Sequence, residues 1–224
     1  MKHQRLKFLF VTSLTLGRIP LILVFFAVNL LLARRFETGT DLILMSPERH
    51  ALWFTIAFAA MVLSALTDLF DGYFARRFNI VTKLGEYADP LTDKIYYLVS
   101  FPTLVYLACL QGRLLHAQLL LALTIIFLMR DQWVSFLRSI GARHETAGKA
   151  NWSGKARTLI AFPAICVFYW FLMAPDSWWF QLPSLLIYAL EVISLAVNLI
   201  SIWVYTTNYW PVMRQEMRPP PLGK

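Results

Sequence analysis

The sequence predicts an all-α membrane protein, with six transmembrane helices packed in one bundle. Of its 224 residues, 58% are hydrophobic and only 15% are charged, whereas a soluble domain is about 25% charged. Several apolar runs are long enough to cross a bilayer, which takes about 20 helical residues. These runs are continuous and lack the alternation of ten-residue barrel strands, so a transmembrane barrel is excluded.

Six apolar segments are the predicted spans, because a helix satisfies every backbone hydrogen bond within lipid. The segments are residues 8–33, 51–74, 91–111, 115–136, 157–174 and 183–210. No internal repeat divides them. We therefore predict one membrane domain over residues 1–214, followed by a short C-terminal tail at 215–224.

The first three segments differ in where they carry polar residues. The first is an apolar run that contains Arg18 and Pro20. The second has 17 uncharged residues, ALWFTIAFAAMVLSALT, and then two aspartates near its end. The third opens with two more aspartates in YADPLTDK. The two acidic ends therefore flank the same turn between consecutive helices.

The last three segments carry isolated polar residues. Arg130 and Asp131 follow one another in the fourth and are expected to pair with each other, and the fifth follows a basic loop that contains His144, which is expected to be exposed. The sixth places Glu191 deep in the membrane, which makes it a functional candidate. A packing role is favoured, either protonated or hydrogen-bonded to Asn198, and a helix contact in a dimer is the alternative. Both cysteines are expected to be buried, inert thiols.

The basic residues predict the orientation of the chain. With the N-terminus inside, 14 Lys and Arg residues lie in the inner segments and 4 lie in the outer loops. This positive-inside bias puts both termini and the Asp-rich turn in the cytoplasm. The net charge of +8 fits an anionic lipid surface. Nucleic acid is not the expected partner, because the basic residues are scattered among loops.

Four carboxylates are the strongest chemical signal. Asp68 and Asp71 lie three apart, and Asp89 and Asp93 lie four apart, so each pair shares one face of its helix. Oxygen ligands on two facing helices suit Mg²⁺, Mn²⁺ or Ca²⁺, and the absence of a nearby His or Cys disfavours zinc. A solvated rim of acids paired with Lys and Arg would explain one pair, but four acids at these spacings favour a metal site.

Small residues and one arginine are interleaved with these acids. Gly72 and Ala75 follow the first pair, and Gly85 precedes the second. Such residues open a groove in which a ligand can approach the backbone, although close helix packing is the alternative for each of them. Arg76 offers a forked cation for phosphate. Carboxylates, small residues and an arginine together favour a diphosphate site over a simple ion site.

The pattern D-x2-D-G-x2-A-R-x8-G-x3-D-x3-D over residues 68–93 resembles the signature of the CDP-alcohol phosphatidyltransferase family. The resemblance implies transfer of a phosphatidyl group from a CDP-linked lipid to an alcohol, with release of CMP and with two divalent cations, Mg²⁺ or Mn²⁺. It implies that the four aspartates hold the metals and that Asp93 is also the catalytic base. It implies a CDP-lipid pocket lined by Gly72, Ala75, Arg76 and Gly85. It also implies a homodimer.

Two further segments carry a finer resemblance. RDQWVSFLRSIGARHETAGKANWSGKART is similar to a region of bacterial phosphatidylglycerophosphate synthases, with an arginine where a lysine is expected near its end. TSLTLGRIP is similar to the family's NxLTxxR start, with a threonine where an asparagine is usual. The implied substrates are CDP-diacylglycerol and glycerol 3-phosphate, at a site facing the cytoplasm in a bacterial inner membrane. The candidate ligands for the acceptor phosphate are Ser135, Arg138, Lys155 and Arg157.

Three alternatives stay open at this point. The first is another acceptor within the family, either inositol phosphate or, in a cardiolipin synthase, phosphatidylglycerol. A divalent-cation transporter would explain the acids but neither Arg76 nor the basic loop, and transporters usually show repeated halves. A prenyl-diphosphate transferase also clusters aspartates but generally needs more spans.

Overall fold

A computed structural model describes residues 2–37, 46–78, 83–143 and 152–217. Six helices make up nearly all of this part of the chain, which contains no strand. The helices are α1 (Lys2–Glu37), α2 (Pro47–Phe78), α3 (Lys83–Leu110), α4 (Leu114–Arg143), α5 (Trp152–Met173) and α6 (Ser184–Glu216). The all-α class is confirmed, and each predicted segment lies on its own helix to within one residue.

Four helices carry stretches that are long and apolar enough to cross a membrane. The stretches are Leu16–Ala33 in α1, Glu48–Thr67 in α2, Leu114–Ala142 in α4 and Ser184–Glu216 in α6. Helix α5 adds a shorter apolar stretch, Leu159–Met173. These helices make the chain an integral membrane protein. That all six helices cross the membrane stays a prediction.

The helices extend beyond the predicted spans. Helix α1 has 36 residues, which at 1.5 Å per residue is about 54 Å, well above the ~30 Å hydrocarbon core. Helix α2 starts at Pro47 rather than at residue 51, and proline suits a first helical position because its missing N–H is not needed there. A helix as long as α1 that crosses the bilayer would extend into the interfacial layers.

Aromatic side chains fill the core of the bundle. Helix α1 packs against α2 and α3, α4 against α3 and α6, and α5 against α2, α3 and α6. Tyr169 of α5 stacks on Phe54 of α2 with ring centroids 5.6 Å apart, and Phe25 of α1 meets it edge-on at 5.2 Å. The Tyr169 hydroxyl donates to Asn29 Oδ1 at 3.1 Å. These contacts join three helices around one buried ring.

Apolar side chains also cover the outer faces of the bundle, as expected where lipid replaces water. Leu52, Leu98 and Leu121 are each about half exposed. Several hydroxyl groups within the helices are satisfied locally; the Thr103 hydroxyl, for example, donates to the Val99 carbonyl oxygen at 2.7 Å. The expectation of two buried thiols is wrong for Cys109, which is exposed.

A polar stripe runs along the buried face of α6. Its members, spaced three or four residues apart, are Glu191, Ser194, Asn198, Ser201 and Tyr205. This spacing keeps them on one side of the helix. They face the neighbouring helices α4 and α5, whereas apolar side chains in the same stretch of α6, such as Ile193 and Leu199, face outward.

Glu191 pairs with a histidine of α4. Its Oε1 contacts His116 Nδ1, and both side chains are fully buried. The expected bond to Asn198 is absent, because residues seven apart on a helix are separated by about 10 Å along its axis. Asn198 Nδ2 instead donates to the Ser194 carbonyl oxygen at 2.8 Å. The structure thus gives Glu191 a different partner from the expected one, and its packing role stays a prediction.

Candidate active site

The signature residues lie where two consecutive helices end and begin. Asp68, Asp71, Gly72, Ala75 and Arg76 are on the last turns of α2. Gly85 and Asp89 are on the first turns of α3. The surroundings of these seven residues lie outside the described part of the structure, so their convergence on one site stays a prediction.

Asp93, the last signature residue, is held by an arginine of α1. Arg18 Nη2 donates to Asp93 Oδ1 at 2.6 Å, and Nη1 of the same guanidinium donates to Thr92 Oγ1 at 3.0 Å. The side chain of Arg18 is 3% exposed and that of Asp93 is 40% exposed. The arginine is therefore enclosed between helices, while the carboxylate keeps an open side.

The residue after Asp93 connects α3 to α4. Lys94 Nζ donates to Ser135 Oγ at 3.3 Å, and both side chains are exposed. Ser135 is a predicted acceptor ligand, so this contact brings it beside the helix turn that carries Asp93. Arg138 lies one turn further along α4 and is also exposed. The structure thus places two of the four predicted acceptor ligands on one exposed face of α4.

Asp131 lies between two buried arginines. Arg130 Nη1 donates to Asp131 Oδ1 at 3.1 Å, which confirms the expected pairing of these neighbours. Arg157 of α5 forms a second ion pair with the same oxygen, with Nη1 at 2.7 Å. The Arg157 guanidinium also lies over the Phe127 ring, 4.1 Å from its centroid. Arg157 is therefore buried and engaged within the protein rather than exposed like Arg138.

Tyr205 of α6 completes this end of the bundle. The guanidinium carbons of Arg130 and Arg138 lie 5.1 and 5.6 Å from its ring centroid, within the range of cation–π attraction. Arg138 Nη2 donates to the Tyr205 hydroxyl at 3.1 Å. Arg130 Nε and Nη2 donate to Ser201 Oγ at 3.0 and 2.9 Å. Arg138 thus presents its charge from a fixed position.

The Lys155 side chain lies outside the described part of the structure, and so does His144. Sequence reasoning missed the roles of Arg18, Thr92 and Tyr205. An arginine within an apolar span is a functional candidate by default, and this signal marks Arg18. Its partners are more than 70 residues away, and no local pattern indicates them.

That the four signature aspartates hold a divalent cation stays a prediction. In the described part of the chain, no group of three His, Cys, Asp or Glu side chains comes together, and the side chains of three of the four signature aspartates lie outside that part. Asp93 uses one oxygen for Arg18. A carboxylate has two oxygens and about four lone-pair sites, so Asp93 retains capacity for a second interaction.

Comparisons with known proteins bear on the family of this chain. The sequence model of the CDP-alcohol phosphatidyltransferase family matches residues 9–206. The chain is 30% identical, over 133 residues, to the CDP-diacylglycerol–glycerol-3-phosphate 3-phosphatidyltransferase of Escherichia coli K12. The same identity is found with proteins of that description from Shigella flexneri serotype 5b and Shigella sonnei.

The match to these relatives is partial in length. It covers 59% of this chain and 65% of each relative. The family match is broader, since it extends from α1 to α6 and includes the whole signature. On this evidence the chain belongs to the CDP-alcohol phosphatidyltransferase family.

Proposed function

We propose that this protein transfers the phosphatidyl group of CDP-diacylglycerol to glycerol 3-phosphate, which yields phosphatidylglycerophosphate and CMP. The observation that carries the choice of acceptor is the similarity to relatives described by that reaction. Family membership supports a transferase of phospholipid biosynthesis over the cation transporter and the prenyl-diphosphate transferase considered above.

The donor site is assigned to the junction of α2 and α3. Asp68, Asp71 and Asp89 are the main ligands for two cations, Mg²⁺ or Mn²⁺, which when bound neutralise the diphosphate oxygens and stabilise the leaving CMP; Asp93 is the fourth predicted ligand. The pocket for the CDP group is assigned to Gly72, Ala75, Arg76 and Gly85. A site at helix ends suits a lipid diphosphate, since its tails stay in the bilayer and its head stays at the interface.

Asp93 is the proposed general base. An alcohol needs proton removal as it attacks. The acceptor hydroxyl oxygen forms a bond to the phosphorus that carries diacylglycerol, its proton passes to the Asp93 carboxylate, and the bond to CMP breaks. The open side of Asp93, with 40% of its side chain exposed, supports this role.

The acceptor phosphate is assigned to the basic end of α4 and α5. Glycerol 3-phosphate is an anion, and cations other than the metals are needed to hold it. Arg138 is exposed and anchored by Tyr205, which supports direct contact, and Ser135 lies on the same face. Lys155 is the third candidate. Arg157 is buried and paired with Asp131, so it attracts the acceptor phosphate electrostatically from a distance. Direct contact with the phosphate would require it to leave Asp131.

The wider setting is proposed from charge and resemblance. The positive-inside bias supports a site that faces the cytoplasm, in a bacterial inner membrane. The partners are the two substrates and the surrounding membrane lipids, without nucleic acid. A homodimer is proposed on the family resemblance.

The test is an assay of CMP release by the detergent-purified protein. CDP-diacylglycerol and Mg²⁺ or Mn²⁺ are supplied, and glycerol 3-phosphate, inositol phosphate and phosphatidylglycerol are offered in turn. Release with glycerol 3-phosphate alone is the expected result. Equal or faster release with either other acceptor contradicts the proposed acceptor, and no release with any of them contradicts the proposed reaction.

A further inference from the structure

We infer that Arg18 is a positioning residue, which fixes the direction of the Asp93 carboxylate for proton transfer. The inference rests on the proposed function, because it assigns Asp93 the role of base. It concerns a residue on the first helix, outside the signature of α2 and α3.

The geometry of the contact is restrictive. One guanidinium donates through Nη2 to Asp93 Oδ1 at 2.6 Å and through Nη1 to Thr92 Oγ1 at 3.0 Å. The guanidinium is planar and its donors are in fixed directions. Two acceptors on consecutive residues of α3 therefore determine where the plane lies. The short distance to Asp93 is typical of a charge-assisted hydrogen bond.

Arg18 and Asp93 differ in burial, and this difference indicates different roles. Arg18 is 3% exposed, whereas 40% of the Asp93 side chain is exposed. A buried arginine has little surface with which to meet a substrate, but it can hold the inner oxygen of the carboxylate. A carboxylate bound through Oδ1 cannot rotate freely about its Cβ–Cγ bond, so Oδ2 keeps one direction. That oxygen is the one available to receive the acceptor proton.

A purely structural role for Arg18 would be a tie between α1 and α3. Both roles involve the same contact, but they differ in kinetics. A positioning residue acts on the transition state, so its loss lowers kcat while the KM values change little. Loss of a purely structural contact would lower stability and the amount of folded protein, without changing the turnover of the molecules that remain folded.

The kinetic experiment compares Arg18→Gln, Arg18→Lys and Thr92→Val with wild type, using CDP-diacylglycerol, glycerol 3-phosphate and Mg²⁺. The control is Arg214→Gln, an exposed arginine in the last turn of α6, and it is expected to leave turnover unchanged. Misplacement of a reacting group by about 1 Å costs about 100-fold, so Arg18→Gln is expected to lower kcat by about that factor. Lysine retains the charge of arginine but not its planar, two-pronged set of donors. We therefore expect kcat of Arg18→Lys to be about tenfold higher than kcat of Arg18→Gln.

A second measurement needs no turnover. Thermal unfolding is recorded for Arg18→Gln, Asp93→Asn and the double variant in the same detergent. Residues in direct contact give non-additive effects, so the double variant is expected to melt well above the temperature predicted by adding the two single shifts. Additive shifts would show that the contact is not made, and would overturn the inference even if the wild-type protein released no CMP.

The kinetic outcomes separate the two proposals. If wild type releases CMP and Arg18→Gln has an unchanged kcat, the positioning role is wrong and the proposed function stands. If Arg18→Gln raises a KM at constant kcat, Arg18 binds substrate and the inference is also overturned. If wild type releases no CMP with any acceptor, the proposed function fails, and with it the assignment of Asp93 as base on which the positioning role rests.

Discussion

Replacement of Asp131 by asparagine tests most directly whether this carboxylate stabilises the buried Arg130 and Arg157. The substitution keeps the shape of the side chain and removes its charge. Asp131 Oδ1 is shared by Arg130 and Arg157, at 3.1 and 2.7 Å, and both arginines are buried. The asparagine leaves two buried cations close together with no anion between them in the described contacts.

The expected loss of stability follows from what each arginine keeps. Arg130 retains two hydrogen bonds to Ser201, and Arg157 retains the ring of Phe127. Removing one partner of a buried ion pair costs about 3–5 kcal/mol, and these retained contacts favour the lower end. At about 2–4 °C per kcal/mol for a chain of this size, a loss of about 3 kcal/mol should lower the melting temperature by about 6–12 °C.

The assay is thermal unfolding of the detergent-purified protein, followed by tryptophan fluorescence. Asp176→Asn is the matched control, since Asp176 is exposed in the connection between α5 and α6 and surface changes are usually within about 0.5 kcal/mol. Adding Arg157→Gln to Asp131→Asn should restore part of the loss, because it removes one of the two uncompensated cations. A melting temperature within about 2 °C of wild type for Asp131→Asn would refute the reasoning.

Three further outcomes are expected. Asp93→Asn should lower kcat for CMP release by about 10²- to 10⁴-fold, the usual contribution of a general base, with much of the donor affinity kept; unchanged turnover would remove Asp93 as the base. Arg138→Gln should raise the KM for glycerol 3-phosphate by about tenfold or more, since a hydrogen bond to a charged group is worth about 1.5–3 kcal/mol, and Arg214→Gln is the control; an equal effect of both would contradict a specific contact. His116→Leu alone should lower the melting temperature more than the double change His116→Leu/Glu191→Leu, because an apolar pair leaves no buried charge unpaired; the reverse order would argue against the pair.

The helices could be predicted from sequence because lipid imposes a simple rule on long apolar runs. Their ends could not, since hydropathy locates the hydrocarbon region and not the last backbone hydrogen bond. Helix α6 therefore continues through Pro211 to Glu216, beyond the predicted end at residue 210. The early start of α2 has the same cause, since its first turn lies outside the uncharged run.

The site could be predicted only where its residues are close in sequence. The signature on α2 and α3 is a local pattern and indicates a family. Arg18 and Asp93 are 75 residues apart, and Glu191 and His116 are equally far apart, so these pairs exist only once the helices are packed. Asn198 was a plausible partner for Glu191 by proximity in the chain, and helix geometry rules that out.

The pairing of α4 with α6 bears on how a two-tailed lipid enters the protein. At one end His116 contacts Glu191, and at the other Trp133 Nε1 donates to Thr206 Oγ1 at 2.8 Å. Sliding or rotation of either helix against the other would break polar contacts at both ends, within a medium that offers no substitutes. We therefore expect the interface between α4 and α6 to stay closed during turnover, and the acyl chains of the lipid to enter between other helices of the bundle.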